Sequence, residues 1–158
     1  MGLLNLFTKK PNNDDLFWIN RELEQLNYYN DMVLRCNNIP SFLYSINDLK
    51  KVLINLLKYE KKYPYFFNPK PSEILKNFRE NNKLILEQNF VDRYIVEIER
   101  KLLNYSTMRG KLNNFNKMAD CFRFEAGEFE PETVRYFEVE LSKNFPDLYF
   151  NNSKNNPD

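Results

Sequence analysis

Histidine is absent from this 158-residue chain, and glycine, alanine and cysteine are scarce. Histidine is the usual proton donor and acceptor near neutral pH and the commonest metal ligand. Its absence excludes Ser-His-Asp and Cys-His catalytic arrangements, histidine-based zinc or iron sites and a histidine pH switch. The three glycines are isolated from one another in the sequence and cannot form a glycine-rich phosphate loop.

The two cysteines, Cys36 and Cys121, are far apart and do not form a CxxC pair. In a chain of this size they predict reduced thiols in a reducing compartment, so we expect a cytoplasmic protein. A catalytic cysteine needs a base, and the usual base is missing. No apolar run approaches the ~20 residues that a membrane-spanning helix needs.

The composition is that of a globular protein, with 42% hydrophobic residues, 14 Phe and 10 Tyr. Twenty-four Asn against two Ala is the bias expected from an AT-rich genome and is therefore a weak functional signal. The net charge of +1 is lower than a generic polyanion binder usually has.

Three regions are predicted: an N-terminal arm over 1–12, a single helical domain over 13–149 and a disordered tail over 150–158. The arm carries four apolar residues and then two lysines: Leu3, Leu4, Leu6, Phe7, Lys9 and Lys10. The apolar residues either pack onto the domain or make a weak peripheral membrane contact, with the lysines near anionic headgroups.

Capping residues and prolines predict the first helices. A first helix starts near Asp15 and runs to about Arg35, and Pro40 lies beyond its end. A capping box at Ser45–Asp48 predicts the start of a second helix, which ends at about Lys62. Pro71 opens a third helix. In the aromatic loop before it, we expect Phe66 or Phe67 to fill the core.

Ten apolar residues then recur at spacings of three or four, with one slip in the heptad between Tyr105 and Met108. They are Val91, Ile95, Ile98, Leu102, Tyr105, Met108, Leu112, Phe115, Ala119 and Phe122. This pattern predicts one long helix from about Asn89 to Phe124, or two helices bent near Ser106–Gly110. A second copy of the chain could pack on this heptad face if it were exposed.

The segment over 121–141 has two interpretations. Phenylalanines alternate with polar residues around Gly127, as in a tight hairpin, or the helix ends with Gly127 as its C-terminal cap, which we favour. A last helix from Pro131 ends before Phe145. The predicted fold is therefore all-α, a bundle of four to six helices with one long heptad-patterned helix. The alternative is α+β with a small hairpin or strand within 121–141.

Acidic residues are concentrated from Asp120 to Glu140, a segment that contains seven acids and two arginines. The densest group is Glu125, Glu128, Glu130 and Glu132. It is interpreted as a solvated acidic face or as a contact surface for a basic partner. The spacing of a calcium loop is missing, and no metal or cofactor is expected. Trp18 is expected in the core, but if exposed it is the first interface anchor to test.

Basic residues are concentrated in two segments, Lys50–Lys62 and Arg93–Lys117, each with a net charge of +4. Such segments are typical of the outer faces of amphipathic helices. They could also form a nucleic-acid surface on which tyrosines such as Tyr59, Tyr63 or Tyr105 stack with bases.

The leading hypothesis is a non-catalytic protein-binding module, an adaptor or an inhibitor of another protein. Its predicted partner-binding residues are Glu125, Glu128, Glu130, Glu132 and Trp18. The second hypothesis is a nucleic-acid-binding helical protein that uses the basic faces of Lys50–Lys62 and Arg93–Lys117. The third is a carboxylate-dependent enzyme, which requires two acids converging in a pocket, one of them with a raised pKa.

Overall fold

The computed structural model describes residues 9–153, and these form seven α-helices and no β-strand. The helices are α1 Asn13–Arg35, α2 Ile39–Lys62, α3 Pro71–Asn77, α4 Lys83–Leu102, α5 Met108–Glu125, α6 Pro131–Asn144 and α7 Pro146–Ser153. A π-helical turn, Phe78–Asn82, links α3 to α4, and a 3-10 turn, Ala126–Glu128, follows α5. The all-α prediction is confirmed. The alternative with a strand or hairpin within 121–141 is wrong, because α5, the 3-10 turn and α6 occupy that range.

The chain forms two compact units that are both discontinuous in sequence. Unit 1 comprises the described residues up to Arg35 together with Leu43–Lys83, and unit 2 comprises Cys36–Phe42 together with the described residues from Leu84 onward. The single domain expected over 13–149 remains a prediction.

In unit 1, the capped start of α1 and the burial of one residue from the aromatic loop agree with the predictions from the sequence. The Asn12 side chain accepts a hydrogen bond from the Asp15 backbone N–H at 2.8 Å, and α1 ends at Arg35. The buried cluster comprises Ile19, Val52, Leu56, Tyr63 and Phe67. Phe67 fills the core and Phe66 stays 40% exposed, so one of the two expected rings is buried.

The start of α2 differs from the prediction. The helix begins at Ile39, and Asn38 caps it by accepting a hydrogen bond from the Ser41 N–H at 2.9 Å. Pro40 therefore lies in the first turn, where its missing N–H costs no helical hydrogen bond. The predicted start at Ser45–Asp48 is wrong, because both of its capping side chains are buried within the helix.

The single long helix expected over 89–124 is also wrong, and the two-helix alternative is right. The chain leaves the helix over 103–107, and Leu103 is 79% exposed there. Thr107 caps α5 by accepting a hydrogen bond from the Gly110 N–H at 3.1 Å. The break coincides with the heptad slip, since Tyr105 and Met108 are exposed.

Seven of the other eight heptad residues are buried on either side of that break, and Leu112 is partly buried. The buried members are Val91, Ile95, Ile98, Leu102, Phe115, Ala119 and Phe122. A homodimer through this face would require these side chains to be accessible. Because they are buried by the chain's own packing, we do not propose such a dimer.

Aromatic rings form the core of unit 2. The Phe42 and Phe90 rings stack at 4.2 Å, and those of Phe122 and Phe137 stack at 3.7 Å. Phe129 contacts Phe122 at 5.4 Å and so joins this core. Such ring pairs contribute about 0.5–1.5 kcal/mol beyond the area that they bury. The alternating phenylalanines thus follow helical packing, not the pairing of a hairpin.

The end of the chain contains a helix that the sequence did not predict. Residues 150–153 continue α7, so the tail expected over 150–158 does not begin at 150. Pro146 opens α7 with an acid beside it, and Leu148 is buried. The rest of the expected tail lies outside the described residues, as do the arm residues Leu3, Leu4, Leu6 and Phe7.

Candidate functional site

The structure brings the four predicted glutamates together where α5 turns into α6. Residues 120–132 are called the α5–α6 corner below. Glu125 ends α5, Glu128 ends the 3-10 turn, Glu130 is the N-cap residue of α6, and Glu132 lies in the first turn of α6. Glu128 and Glu132 are exposed, and Glu125 and Glu130 are partly buried.

A buried carboxylate fixes the path of the chain through this corner. Glu87 is fully buried on α4, and its Oε2 accepts hydrogen bonds from the Glu130 N–H at 2.9 Å and from the Thr133 hydroxyl at 2.7 Å. Sequence reasoning missed Glu87, although a signal was available. Glu87 lies four residues before Val91 and therefore extends the buried heptad face backwards.

Arg123, which lies within the corner, joins α5 to α6. Its guanidinium donates two hydrogen bonds to Glu138 on α6, at 2.7 and 3.0 Å, and one to Asp120 at 2.9 Å. The Tyr149 hydroxyl on α7 donates to the same Glu138 carboxylate at 3.0 Å. Arg123 lowers the pKa of Glu138, and Glu138 raises the pKa of Arg123. Two of the seven acids between Asp120 and Glu140 are therefore held by this arginine.

Phe124 projects from the corner into solvent with 86% of its surface exposed. It lies two residues after the buried Phe122, which places it about 200° around the helix. Glu125 follows Phe124 directly, and Glu128 lies one helical turn further along. Sequence reasoning grouped Phe124 with Phe122 and did not single it out, yet a helical interpretation of 121–125 already places the two on opposite faces.

Trp18 is 47% exposed on α1, so the expectation that it lies in the core is wrong. The Arg21 guanidinium lies 5.3 Å from its ring centroid, and the Phe17 ring meets it edge-on at 5.4 Å. Trp18 belongs to unit 1 and the corner to unit 2. They are therefore treated as two separate surfaces.

The first basic segment forms a lysine face on α2. Its exposed members are Lys50, Lys51, Lys58, Lys61 and Lys62. Lys51 donates to Asp48 at 2.9 Å, and Lys62 donates to Asp15 at 2.5 Å. Tyr63, one of the expected stacking residues, is buried and donates its hydroxyl hydrogen to Asp15.

The second basic segment is divided between α4 and α5, and part of it is used within the fold. Arg93 donates to the Cys36 carbonyl at 3.1 Å, and burial lowers its pKa. Arg100 and Lys101 both pair with Glu97, at 2.7 and 3.7 Å. The basic face over Arg93–Lys117 remains a prediction.

Several carboxyl groups have shifted pKa values, and the shifts are opposite to those of a general acid. Four are lowered mainly by a neighbouring donor: Asp15 by Lys62, Asp48 by Lys51, Glu97 by Arg100 and Glu138 by Arg123. A carboxylic acid that donates a proton near neutral pH needs a raised pKa. Two surface pockets, of about 200 and about 230 Å³, each contain one acid, Glu80 and Asp147 respectively.

Within residues 9–153, no group of three or more cysteine or acidic side chains is placed to hold a metal ion. In the same part of the chain, no helix is long and apolar enough to cross a membrane. The comparisons found no family model, curated protein or solved structure that matches this chain. The α5–α6 corner offers an exposed apolar ring beside concentrated negative charge, which is chemistry suited to binding.

Proposed function

We propose that this chain is a non-catalytic protein-binding module, an adaptor or an inhibitor of another protein, which binds a basic partner at the α5–α6 corner. The observation that carries this proposal is Phe124, whose ring is 86% exposed. It stands in a thirteen-residue segment with five acids and one arginine. Removing a phenylalanine side chain from water stabilises a complex by about 1.5–3 kcal/mol, and aromatic anchors ringed by polar groups dominate many interfaces.

The corner is supported from beneath, which favours recognition. Glu87 holds the start of α6, and Arg123 holds α5 against α6. A surface that is already ordered loses little conformational freedom when a partner binds. Phe124 and its neighbouring carboxylates therefore present a prepared surface.

The charge of the corner defines the chemistry of the partner. A segment with lysines or arginines around an apolar contact for Phe124 complements it in both charge and polarity. Charge complementarity mainly accelerates association and makes it sensitive to salt. We expect binding to weaken as the salt concentration rises.

The test is a pull-down from native lysate with protein identification. One variant is Phe124→Ser, and a second carries Gln at the four corner glutamates, Glu125, Glu128, Glu130 and Glu132. The matched charge control carries Gln at four exposed glutamates elsewhere: Glu24, Glu73, Glu80 and Glu99. The matched apolar control is Val96→Ser on α4, where the side chain is 62% exposed.

The wild type and both controls should recover the same partner. Recovery should fall about tenfold with Phe124→Ser, because a lost anchor of about 1.4 kcal/mol changes affinity by that factor. Equal recovery by the wild type and both corner variants, with unchanged circular dichroism, would remove the corner as the binding surface.

The two other hypotheses from the sequence rank lower. For nucleic acid, the support is the lysine face of α2, and binding to single- or double-stranded probes should weaken steeply with salt. Failure to bind either probe at low salt would end the nucleic-acid hypothesis.

For a carboxylate-dependent enzyme, the described acids with shifted pKa values are held by basic neighbours in the charged form.

A further inference from the structure

Four large aromatic side chains of unit 1 are exposed on two elements, and the proposed function does not use them. Phe17 and Trp18 on α1 are 61% and 47% exposed, and Tyr65 and Phe66 after α2 are 65% and 40% exposed. They are called the aromatic end below. Single exposed apolar residues are common on protein surfaces, but a group of them marks an interaction site.

Hydrogen bonds place both pairs at the same end of unit 1. The Asp15 carboxylate accepts a hydrogen bond from Lys62 Nζ at 2.5 Å and another from the Tyr63 hydroxyl. Asp15 lies within one helical turn of Phe17 and Trp18, and Tyr63 lies within three residues of Tyr65 and Phe66. The start of α1 therefore lies beside the end of α2.

The buried cluster of unit 1 contains one residue adjacent in sequence to each pair. Ile19 and Phe67 belong to this one cluster. Trp18 directly precedes Ile19 in the sequence, and the Phe66 ring meets the Phe67 ring at 5.2 Å. The Phe66 ring therefore packs on a ring of the buried cluster, and Trp18 is adjacent in sequence to another member of that cluster.

Several basic residues lie at this end of unit 1. Lys9, Lys10, Lys61 and Lys62 are exposed, and the Arg21 guanidinium lies 5.3 Å from the Trp18 ring centroid. The charge of Lys9 acts on Asp15, which places this lysine near the same end. The acids of the first turn of α1 are Asp14 and Asp15, and Asp15 is held by Lys62.

We propose that the aromatic end binds the surface of an anionic membrane peripherally. Tyrosine and tryptophan rings favour the depth of lipid headgroups, where their apolar bodies and polar tips are both satisfied, and lysines are attracted by anionic lipids.

Lipid fits these residues better than single-stranded nucleic acid does. Bases bind by stacking on parallel ring faces. The ring pairs here are edge-on, with interplanar angles of 80° for Phe17–Trp18 and 89° for Phe66–Phe67, so neither pair forms a slot of parallel rings into which a base could insert.

Trp18 is the chain's only tryptophan and therefore reports on this surface directly. The experiment adds vesicles of phosphatidylcholine containing about 30% phosphatidylserine to the full-length protein and follows Trp18 emission and co-sedimentation. On binding, emission should move to shorter wavelength, and lipids brominated in their acyl chains should quench it. Vesicles of phosphatidylcholine alone should bind about tenfold less protein.

Two variants keep Trp18 as the reporter. Tyr65→Ser with Phe66→Ser removes two rings, and Gln at Lys9, Lys10 and Lys61 removes charge without touching the Lys62–Asp15 pair. Each should weaken binding to anionic vesicles about tenfold. Phe150→Ser on α7 of unit 2, where the ring is 57% exposed and outside both proposed surfaces, should leave vesicle binding unchanged.

Absence of co-sedimentation and of any emission change with anionic vesicles would overturn the proposal. So would a response of Trp18 to single-stranded polyuridylate without a response to vesicles, which would assign the aromatic end to nucleic acid. Equal vesicle binding by the wild type and the Tyr65→Ser, Phe66→Ser variant would also overturn it. None of these results bears on the pull-down at the α5–α6 corner.

Discussion

At the residue scale, the buried carboxylate of Glu87 predicts a large loss of stability on substitution. Glu87→Ala should lower the free energy of unfolding by about 3 kcal/mol, because the Glu130 N–H and the Thr133 hydroxyl lose their acceptor in a buried place. Glu87→Gln keeps an acceptor oxygen and should lower the free energy of unfolding by less. Urea denaturation at pH 7 measures both.

The exposed Glu99 is the control for this prediction, since Glu99→Gln should change the free energy of unfolding by less than about 0.5 kcal/mol. Thr133→Val, which removes one donor with little change of shape, should fall between Glu99→Gln and Glu87→Ala. A Glu87→Ala protein as stable as the Glu99→Gln protein would contradict the role given to Glu87.

The Glu138–Arg123 pair predicts how stability depends on pH. Arg123 lowers the pKa of Glu138 below its ordinary value of 4.5 in the folded chain. A lowered folded-state pKa adds stability above the unfolded-state value, and this stability is lost as the pH falls through the folded-state pKa. Glu138→Gln should therefore make the loss of stability below about pH 4.5 shallower, as measured by denaturation at a series of pH values.

Glu99→Gln removes one carboxylate from an exposed position and is the matched control for the substitution. Asp15, Asp48 and Glu97 also have lowered pKa values, so the Glu138→Gln protein should retain part of that dependence. If the free energy of unfolding fell equally steeply with pH in the wild type and in Glu138→Gln, the predicted contribution of the pair would be contradicted.

At the scale of helices, the cap of α5 predicts that two substitutions depend on each other. A Cβ atom at Gly110 would lie 3.0 Å from Thr107 Oγ1, the oxygen that caps the helix, and 3.4 Å from Tyr105 Cδ1. Alanine is better than glycine in a helix by about 1 kcal/mol. Gly110→Ala should therefore stabilise the chain in a Thr107→Ala background but give little or no gain in the wild type.

Gly127→Ala is the matched control for crowding. A Cβ atom there meets nothing within 4 Å, and no described glycine has a positive φ. The substitution should leave stability unchanged or raise it by about 0.4–1 kcal/mol. Thermal melts compare the wild type, Thr107→Ala, Gly110→Ala and the double variant. An equal effect of Gly110→Ala in both backgrounds would contradict the crowding argument.

Helix ends were predictable where one local signal dominates. The start and end of α1, the end of α2 and the start of α3 lie close to the residues that the caps and prolines indicated. The start of α2 was missed because Pro40 either follows one helix or opens the next, and the choice depends on whether Asn38 supplies a cap. The heptad slip was visible in the sequence, but only packing reveals that the helix breaks there.

At the scale of the whole molecule, the candidate site was predictable in position but not in its supporting contacts. The acidic corner was found because charge density is a property of the sequence. Glu87 and Phe124 were missed because one is a charged residue on a buried face and the other an aromatic residue on an exposed face. Charged residues are usually exposed and aromatic residues usually buried, so the residue type predicts the opposite location for both Glu87 and Phe124.

Thiol reactivity tests the fold as a whole. Cys121 is exposed and Cys36 is buried, so one thiol per native chain should react quickly with a colorimetric disulfide reagent, and the second only after unfolding. Cys121→Ser should abolish the fast reaction. Rapid reaction of both thiols in the native wild type would contradict the burial of Cys36.

The segment Cys36–Phe42 belongs to unit 2 but is translated between the two stretches that form unit 1. Phe42 stacks on Phe90 at 4.2 Å, and its ring also lies 5.8 Å from that of Phe129. During synthesis, Phe42 therefore leaves the ribosome well before the rings that cover it. A gene fragment starting at Leu84 would omit this ring, so no single cut in the reading frame can separate the units with their cores intact.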